Sequence, residues 1–489
     1  MKLAQLGGLA GMTVDARGDD EVTGFAIDHR KVAPGTVFGA FPGTQANGED
    51  FIPAAVSAGA IAVVARPEVP VEGAAHLADP QPRRAFANLA ARFFRPVPET
   101  VVAVTGTNGK TSTVEMTRQI WRLLGERAAS IGTLGVTTPD ESVSTGLTTP
   151  DIVTFLSNMT GLAREGVTHV AYEASSHGLS QYRNEGLAVA AGAFTNLSRD
   201  HLDYHADMDD YFAAKMRLFS EVVAVGGTAV IWADDAWSAR AIEAARARWL
   251  ALVTVGEAGE TIRLLSRTPT QLGQTLDLEH GGMRHTVNLP LIGAYQAANA
   301  LVAVGLALAT GSDAAKAFEA LGRLQPVRGR LERAAITASG APVYVDYAHT
   351  PDALEAAIAA LRPHCSGRLI TVFGAGGDRD QGKRPEMGAV AAAHSDLVIV
   401  TDDNPRGEDA AAIRAQVLRG APGAREIGDR REAIATAIAE ARAGDVVLIA
   451  GKGHEQGQVV GSGEAMRVLP FDDVTVAREC AGQLSGAIA

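Results

Sequence analysis

An α/β fold in three domains is predicted by the length of the chain and by the way its apolar segments alternate. The chain has 489 residues, and such a length suggests roughly three domains. Strand-like runs alternate with helical patterns from 100 to 325, and the alternation starts afresh after Pro326. Pro96 and Pro98 mark a linker. We therefore predict a small α/β domain at 1–97, a doubly wound sheet at 98–326 and a Rossmann-like domain at 327–489.

The individual elements follow from apolar runs bounded by turn residues. Two runs of alternating hydrophobicity flank Gly281 and Gly282, which predicts a hairpin. In the first two domains we predict strands at 25–27, 60–64, 101–104, 169–172, 190–194 and 227–232, helices at 112–124, 208–223 and 293–310, and the hairpin at 274–289. In the third domain we predict strands at 343–347, 369–373, 397–401 and 446–450, and helices at 351–362, 383–394 and 409–418.

Composition narrows the class of protein. The formal net charge of −12 argues against a nucleic-acid groove, which would need a basic stripe, so an anionic ligand would be held by local donors. The first residues lack the basic start and apolar stretch of a signal peptide, and no apolar run of about 18 residues occurs. Cys365 and Cys480 stand in no metal-ligand spacing. We expect a cytoplasmic protein without membrane or nucleic-acid partners.

The segment 101–112 predicts a phosphate-binding loop. An apolar strand ends in Thr105-Gly106-Thr107-Asn108-Gly109-Lys110-Thr111, and a helix begins directly afterwards. Backbone N–H groups of this loop and of the helix start converge on an anion, Lys110 reaches the terminal phosphates, and the Thr111 hydroxyl ligates Mg²⁺. Val104 stands where the usual motif has glycine, so the loop is a shorter variant. ATP is the expected ligand.

Glu173 and His201 are candidate metal ligands. Each follows a predicted strand, at the edge of an open α/β sheet where ligands bind. The Glu173 carboxylate offers the oxygen that Mg²⁺ prefers. The imidazole of His201 is a less expected ligand, and its spacing also allows a structural histidine.

Lys215 is the least ordinary residue of the predicted helix 208–223. It shares a face with Phe212, Met216 and Phe219, so its ammonium should point toward a desolvated site. A lysine that snorkels to the surface is the alternative. If it is buried, its pKa is depressed and the amine becomes a nucleophile toward CO₂ or a carbonyl.

Polar residues at two further places suggest contacts with a nucleoside. Gln296 and Asn299 lie three apart on one face of the predicted helix 293–310, and such amides can pair with adenine. Asp346 ends the first strand of the third domain, where a carboxylate could bond a ribose hydroxyl. Thr350 and Pro351 follow it, and their role is more simply that of a helix cap.

Three loops of the third domain combine glycines with fixed charges, at 374–380, 401–407 and 451–455. Arg379 and Arg406 could grip a carboxylate with two parallel hydrogen bonds, while Asp403 and Glu455 would accept from an ammonium. Taken together, these loops predict a pocket for a zwitterionic amino acid. Ordinary surface ion pairs at loop ends are the alternative.

These motifs together resemble those of the Mur ligases of peptidoglycan synthesis, over essentially the full length. The segment 105–111 is similar to the family's ATP loop, 173–177 and 200–203 to its metal segments, Lys215 to its carbamylated lysine, and 403–406 to the signature of members that add meso-diaminopimelate. The resemblance implies a first domain for a nucleotide sugar, a central ATP-binding domain and a third domain for the amino acid. It also implies a monomer.

The resemblance carries binding roles to matching positions. For ATP it implies Gly106, Thr107, Asn108, Gly109, Lys110, Thr111, Ser112, Asn299, Arg330 and Asp346. For Mg²⁺ it implies Thr111, Glu173, His201 and carbamylated Lys215, the last three being catalytic together with Lys110. For the UDP-muramoyl peptide it implies Asp28, Arg30, Gln45, Ala46, Thr148, Thr149, Ser175, Gln181 and Arg183. For diaminopimelate it implies Arg379, Asp403, Asn404, Pro405, Arg406, Gly451 and Glu455. Four positions depart from the family pattern, namely His29, Leu147, Trp232 and Gln296.

The implied reaction is the ATP-dependent addition of meso-diaminopimelate to the D-glutamate γ-carboxyl of UDP-N-acetylmuramoyl-L-Ala-D-Glu through an acyl phosphate. A ligase that adds L-lysine and a folylpolyglutamate-type synthase are the nearest alternatives. Arg406 argues against the lysine-adding enzyme, because lysine lacks the second carboxylate that would pair with it. A regulatory ATPase that uses the nucleotide only as a switch would leave the arginine pocket without a function.

Overall fold

Three main sheets, one within each predicted domain range, organise the chain. The structure is a computed structural model that describes residues 1–14, 16–43, 46–138, 142–143, 148–202, 204–270 and 273–486. The first sheet lies within 24–78, the second within 100–289 and the third within 332–450. The mixed α/β architecture is therefore the predicted one.

The first unit is a parallel four-stranded sheet in the order β1-β2-β3-β4. Its elements are α1 (Leu3–Leu9), β1 (Gly24–Ala26), β2 (Thr36–Gly39), α2 (Ile52–Ser57), β3 (Ala60–Ala65), β4 (Ala75–Ala78) and α3 (Pro82–Phe93). Phe86, Leu89 and Ala90 form an apolar stripe on α3 and are fully buried. They belong to one core cluster with Phe155 of the central unit, so the two units pack directly on each other.

The central unit is built around an eleven-stranded sheet among the described residues. The strand order is β15-β14-β13-β12-β11-β10-β5-β9-β6-β7-β8. Its strands are β5 (Thr100–Thr105), β6 (Ala128–Gly132), β7 (Gly135–Thr137), β8 (Ser142–Val143), β9 (His169–Glu173), β10 (Val189–Phe194), β11 (Val223–Trp232), β12 (Ala251–Gly256), β13 (Ile262–Thr270), β14 (Gly273–His280) and β15 (Met283–Leu289). Its helices are α4 (Lys110–Leu123), α5 (Ile152–Arg164), α6 (Ser176–Ser180), α7 (Met208–Arg217), α8 (Ser238–Arg246), α9 (Ala294–Ala309) and α10 (Ala314–Leu321).

The order of the parallel strands explains where a ligand would bind. β5 pairs with β9 on one side and with β10 on the other, so the chain winds away from β5 in both directions. The carboxyl ends of these three strands therefore meet at a topological switch point, where open α/β sheets hold their ligands.

Most predicted elements of this unit are confirmed, but one boundary is wrong. The hairpin of β14 and β15 turns at Gly281 and Gly282, which both have positive φ, 57° and 76°. The predicted helix 208–223 ends as an α-helix at Arg217 and continues as one π-helical turn, Leu218–Val222. Strand β11 then begins at Val223, four residues before the predicted start at 227, because β-branched Val223 pairs with Val189.

The third unit has a six-stranded sheet in the order β16-β17-β21-β18-β19-β20, parallel except for β16. Its strands are β16 (Glu332–Ile336), β17 (Pro342–Asp346), β18 (Leu369–Phe373), β19 (Leu397–Val400), β20 (Arg425–Glu426) and β21 (Val446–Ala450), followed by the separate hairpin β22 (Gly457–Val460) and β23 (Arg467–Pro470). Its helices are α11 (Pro351–Leu361), α12 (Lys383–His394), α13 (Ala410–Leu418), α14 (Arg430–Glu440) and α15 (Asp473–Gly486). Across the described residues, no helix combines the length and the apolar character that crossing a membrane requires.

Candidate functional site

The loop between β5 and α4 has a backbone that only glycine allows at two positions. Gly106 has φ 145°, and a Cβ there would lie 1.9 Å from the Thr195 hydroxyl oxygen. Gly109 has φ 86°, and a Cβ there would lie 2.3 Å from Oδ1 of Asn299. Neither position has room for a side chain, so both require glycine, as a phosphate-binding loop does. The N–H groups of Thr107 and Asn108 donate to Asn196, each at 2.9 Å, which fixes the loop.

Basic side chains surround this loop. Lys110 Nζ donates to the Gly106 carbonyl at 2.9 Å, and Lys215 Nζ donates to the same oxygen at 2.8 Å. Arg330 comes from the third unit, and its Nη2 donates to the Thr111 hydroxyl at 3.0 Å. Three basic side chains from separate parts of the sequence thus meet at one loop, an arrangement suited to a polyphosphate.

Lys215 is buried, as the pattern of its helix predicts, with only 1% of its surface exposed. Its Nζ lies 4.2 Å from the centre of the Tyr211 ring. Burial and the neighbouring Lys110 hold the pKa of Lys215 well below its ordinary value, against a smaller opposing effect of Asp200. The snorkelling alternative is therefore excluded, and these surroundings favour the neutral amine, which is the form that can react as a nucleophile.

Glu173 is fixed beside the phosphate loop at the end of β9. Its Oε1 accepts from the Thr111 hydroxyl at 2.9 Å and from the Thr133 N–H at 2.7 Å. A Cβ at Gly132 would lie 2.2 Å from the same oxygen, so the neighbouring backbone closes around the carboxylate. Carboxylate and hydroxyl oxygens side by side are a donor set that fits Mg²⁺.

His201 lies on the same side of the cleft as Lys215. Its Nε2 is 3.5 Å from Oδ2 of Asp200, and its ring centre is 6.0 Å from that of Tyr211, the ring that also contacts Lys215. The part of the chain that the structure describes holds no group of three or more His, Cys, Asp and Glu side chains arranged for a metal. A cation here would therefore depend on Thr111 and on an oxygen added to Lys215, as well as on Glu173 and His201.

The residues predicted for the muramoyl peptide form one hydrogen-bonded network next to Glu173. The Thr149 hydroxyl donates to the Glu173 carbonyl at 2.8 Å and lies 3.0 Å from the Ser175 hydroxyl. Arg183 donates from Nη1 to the Thr149 carbonyl at 2.9 Å and from Nη2 to Oε1 of Gln181 at 2.7 Å. Thr148 accepts from the Thr133 hydroxyl, which joins it to the same network.

The residues predicted for the uridine nucleotide lie elsewhere, on the first unit. Asp28 and Arg30 pair with each other at 2.8 Å, and the Arg30 guanidinium lowers the pKa of Asp28 to about 2. The neighbouring His29 ring stacks on Phe51 with ring centres 4.4 Å apart. Ala46 is exposed. Gln45, Leu147 and Asp203, the last from the second metal segment, lie outside the described residues.

Two of the residues predicted for ATP are already engaged inside the protein. Asn299 is buried and accepts from the Thr113 hydroxyl at 3.5 Å. Asp346 is buried and accepts from the N–H groups of Leu331, at 2.6 Å, and Ala348, at 2.8 Å. Burial raises the pKa of Asp346, against the opposing effect of Arg330. Asp346 therefore fixes the backbone next to Arg330, and this places the Arg330 side chain at the phosphate loop.

Gln296 is likewise turned inward. It is 1% exposed, and its Nε2 donates to the Arg330 carbonyl at 3.0 Å. The Gln296 amide therefore holds the Arg330 segment rather than an exposed nucleoside edge.

A cleft of about 1330 Å³ separates the central and third units. The central unit contributes Thr133, Thr148, Asp200 and His201 to its wall. The third unit contributes six of the seven residues predicted for diaminopimelate, Arg379, Asp403, Asn404, Arg406, Gly451 and Glu455. The structure thus brings the predicted amino-acid pocket to face the predicted metal segment.

Inside this pocket the Arg406 guanidinium is held by the backbone. Arg406 has φ 52° and donates from Nη1 to the Gly377 carbonyl at 2.9 Å. Pro405 is buried next to Arg406, and its carbonyl lies where a side chain on Gly377 would have to be. Arg379 is exposed.

Sequence reasoning missed three residues of the site. Thr133 supplies two hydrogen bonds to Glu173 but lies in no recognisable motif. Asp200 lines the cleft, but in the sequence it stands only as the neighbour of His201 in the segment 200–203. Lys452 was noticed only as part of a glycine-rich loop, although a lysine between two glycines after a buried strand is a signal in itself.

Comparison with known protein families gives three matches along the chain. Residues 21–94 match the model described as Mur ligase family, catalytic domain. Residues 104–307 match the Mur ligase middle domain. Residues 329–453 match the Mur ligase, glutamate ligase domain.

Curated proteins and solved structures are similar over nearly the whole length. A Zymomonas mobilis subsp. mobilis protein named UDP-N-acetylmuramoyl-L-alanyl-D-glutamate--2,6-diaminopimelate ligase is 62% identical, covering 94% of this chain and 95% of that protein. One of the same name from Bradyrhizobium diazoefficiens is 55% identical, covering 93% of both. A solved structure of a ligase of that name has a TM-score of 0.73 and 33% identity, covering 100% of this chain and 99% of that chain.

Proposed function

The chain belongs to the Mur ligase family, and on that premise we propose that it adds meso-diaminopimelate to UDP-N-acetylmuramoyl-L-alanyl-D-glutamate, with consumption of ATP, in peptidoglycan precursor synthesis. The observation that carries this function is the 62% identity, over 94% of the chain, to a curated ligase named for that reaction. The cleft between the central and third units supplies a chemistry that agrees with it.

The reaction needs ATP because a carboxylate is a poor acyl donor. Transfer of the γ-phosphoryl group of ATP to the γ-carboxylate of D-glutamate gives an acyl phosphate and ADP. The amine of diaminopimelate then attacks the acyl carbon, the C–O bond to phosphate breaks, and the amine loses a proton. The products are the amide, ADP and phosphate.

Phosphoryl transfer is catalysed mainly by positioning and charge stabilisation, and the phosphate loop supports both. Lys110 and Arg330 lie at the two ends of Gly106–Thr111 and would hold the terminal phosphates. Mg²⁺ bound by Thr111, Glu173, His201 and modified Lys215 would spread the negative charge of the transferred group.

Lys215 is suited to carbamylation. Its neutral amine attacks CO₂, a C–N bond forms, and loss of a proton leaves an anionic carbamate. The modification places an anionic oxygen ligand next to Lys110. Burial and the charge of Lys110, which together lower the pKa of the free lysine, disfavour an ammonium at this place.

The pocket on the third unit would bind diaminopimelate as a zwitterion. Arg406 would pair with the carboxylate that distinguishes diaminopimelate from lysine, assisted by Arg379. Asp403 and Glu455 would accept from the ammonium of the same carbon. Gly451 permits this approach, since a Cβ at that position would lie 3.0 Å from Oδ2 of Asp403.

The UDP-muramoyl peptide would run from the first unit to the cleft. Its uridine part would lie near Asp28 and Arg30, and its dipeptide near the Thr149 network, which ends at Glu173. All of these residues belong to one chain, so the proposed site needs no residue from a second copy. The nucleotide substrates fit a cytoplasmic enzyme.

The decisive experiment measures ADP and phosphate release with each amino acid. We expect release with ATP, Mg²⁺ and UDP-N-acetylmuramoyl-L-Ala-D-Glu only when meso-diaminopimelate is present, because the amine discharges the acyl phosphate. Equal or faster turnover with L-lysine would refute the specificity. Release without any amino acid would indicate a regulatory ATPase instead.

A further inference from the structure

Lys452 is a buried cation that the mechanism described above does not use. It follows strand β21 and is flanked by Gly451 and Gly453, whose φ values are 112° and 54°. None of its side-chain surface is exposed. A Cβ at Gly453 would lie 2.7 Å from both the Gly329 carbonyl oxygen and Cβ of Tyr347, so this turn is closely packed. The two left-handed glycines therefore direct the lysine inward.

The Lys452 ammonium joins the two acidic groups of the amino-acid pocket. Its Nζ lies 2.7 Å from Oδ1 of Asn404, 3.3 Å from Oδ1 of Asp403 and 3.4 Å from Oε2 of Glu455. Asn404 completes the cluster, because its Nδ2 donates to Oε2 of Glu455 at 2.8 Å and its Oδ1 accepts from the Val459 N–H at 2.9 Å. One lysine thus holds two loops and, through Asn404, the hairpin β22–β23.

The net charge of the cluster follows from its partners. Arg430, His349 and Lys383 also act on Asp403. Arg430 makes a two-pronged pair with Asp473, at 2.8 and 2.7 Å, and both residues are fully buried. Asp473 therefore offsets most of the charge of Arg430. Asp403 and Glu455 carry two negative charges against the single positive charge of Lys452. One negative charge remains, which matches one ammonium group of a ligand.

We propose that Lys452 is a positioning residue that fixes Asp403 and Glu455 and leaves this cluster of three charged side chains with one uncompensated negative charge, which matches the ammonium group of a zwitterionic carbon. The proposal rests on the function proposed above. It adds to that function a residue that does not touch the substrate.

The two carboxylates respond differently to this environment. For Asp403, burial acts to raise the pKa, but Lys452 and Arg430 outweigh burial, and the pKa is lowered. For Glu455, burial and Asp403 together raise the pKa, against Lys452. Tyr347 and Arg430 also face Glu455. Loss of the lysine would therefore raise the pKa of Glu455 further, because an opposite charge at this distance lowers a carboxyl pKa by about one to three units.

The test is Lys452→Met, which keeps the length of the side chain and removes its charge. We expect the KM for meso-diaminopimelate to rise at least about tenfold, equivalent to about 1.4 kcal/mol, with the KM values for ATP and the UDP-muramoyl peptide unchanged. On the acid side of the pH profile, the fall in kcat/KM for diaminopimelate (the acid limb) should shift to higher pH by about one unit or more. The reason is that the pKa of Glu455 would be higher, so that its carboxylate would be protonated at a higher pH. Lys452→Arg, which keeps the charge, should leave this limb in place.

The same variant should shift the choice of substrate. Diaminopimelate is neutral overall and L-lysine carries one positive charge more, so a more negative pocket should lower the ratio of kcat/KM for diaminopimelate over lysine on the alkaline side of the limb. Lys316→Met, at an exposed position on α10, is the matched control and should change none of these quantities.

The outcomes separate this proposal from the proposed function. If the unmodified protein does not use diaminopimelate, the proposed function fails. If it does, but Lys452→Met only lowers kcat/KM by one factor at every pH, the lysine is merely structural and the inference is overturned. Should Lys452→Met not fold, the double variant with Glu455→Gln restores the balance of charge. Folding of the double variant alone supports the inference, and failure of both variants overturns it.

Discussion

At the scale of the residue, Lys215 shows how burial creates a reactive group. Lysine normally carries its charge in water, yet here the ammonium has been taken out of water and set next to the cation Lys110. Its hydrogen bond goes to a carbonyl, that of Gly106, which does not neutralise it. A lysine in these surroundings is destabilising as a cation, and the proposed carbamylation would relieve this.

The carbamate predicts the behaviour of Lys215→Ala. We expect turnover to be lost, because an anionic ligand is removed. We expect the fold to stay intact, because loss of a buried amine next to Lys110 also removes a desolvation cost that offsets the lost volume. A small carboxylate such as acetate should restore part of the activity by entering the vacated space. The measurement is ADP release with and without acetate, together with circular dichroism.

Two controls make the test of Lys215 specific. Acetate should not stimulate the wild-type protein, because the proposed carbamate would already fill the space. Intact-mass analysis should show the added CO₂ on the wild-type protein and not on the alanine variant. If the mass shows that Lys215 carries no added CO₂, and carboxylates do not rescue the alanine variant, the proposed carbamate is wrong.

At the scale of the element, helices α14 and α15 are held together by a buried ion pair. Arg430 begins α14 and Asp473 begins α15, and both side chains are 0% exposed. Arg430 also donates to the Ala450 carbonyl at 2.9 Å, at the end of β21. The pair therefore fixes two helix ends to the strand that leads into Lys452.

Removing one partner of this pair should be costly. We expect Asp473→Ala to reduce the free energy of unfolding by about 3–5 kcal/mol, because it leaves a buried guanidinium without its counter-charge. Chemical denaturation followed by circular dichroism measures the loss. The matched control is Glu479→Ala, which breaks the exposed pair of Arg431 and Glu479 on the same two helices and should cost less than about 1 kcal/mol. Similar losses for the two variants would contradict the argument.

Other elements show where local patterns stop being informative. Strand β18 and helix α12 occupy the predicted positions, 369–373 and 383–394, because a run of apolar residues or a helical stripe is a local signal. The π-helical turn Leu218–Val222 was not predicted. Its sequence reads as helix, and only the pairing of Val223 with Val189 of β10 ends the helix there.

At the scale of the whole molecule, the site exists only where two units face each other. Arg330 reaches the phosphate loop from the third unit, and its guanidinium lies 4.4 Å from the centre of the Tyr347 ring. A nucleotide at the loop would therefore contact both units. Its binding should stabilise the chain as a whole rather than the central unit alone.

An ATP analogue that cannot be hydrolysed tests this coupling. With Mg²⁺ present and the analogue at 100 times its Kd, linkage predicts about 2.7 kcal/mol of added stability. Calorimetry would show this gain as a higher unfolding temperature. Chelation of Mg²⁺ by EDTA should remove most of the gain, because the oxygens of Thr111 and Glu173 would then face the phosphates without a cation between them. An equal gain with and without EDTA would contradict the proposed metal site.

The sequence by itself determined the features that depend on neighbours along the chain. The three α/β units and the phosphate loop at 105–111 follow from apolar periodicity and from glycines at fixed positions. The apolar face around Lys215 is a local feature as well, but it left a buried and a surface lysine both open. The charges at 379, 403, 406 and 455 predicted a pocket for an amino acid, because carboxylates and arginines at strand ends are local features too.

Only the tertiary structure decided which of these features meet. Arg330 bonds to Thr111 across 219 positions, and Lys452 bonds to Asp403 across 49. The tertiary structure also directs the Asp346 carboxylate inward, where it accepts from the N–H groups of Leu331 and Ala348. Such contacts depend on how the sheets order their strands and how the units face each other, and no short stretch of sequence contains that information.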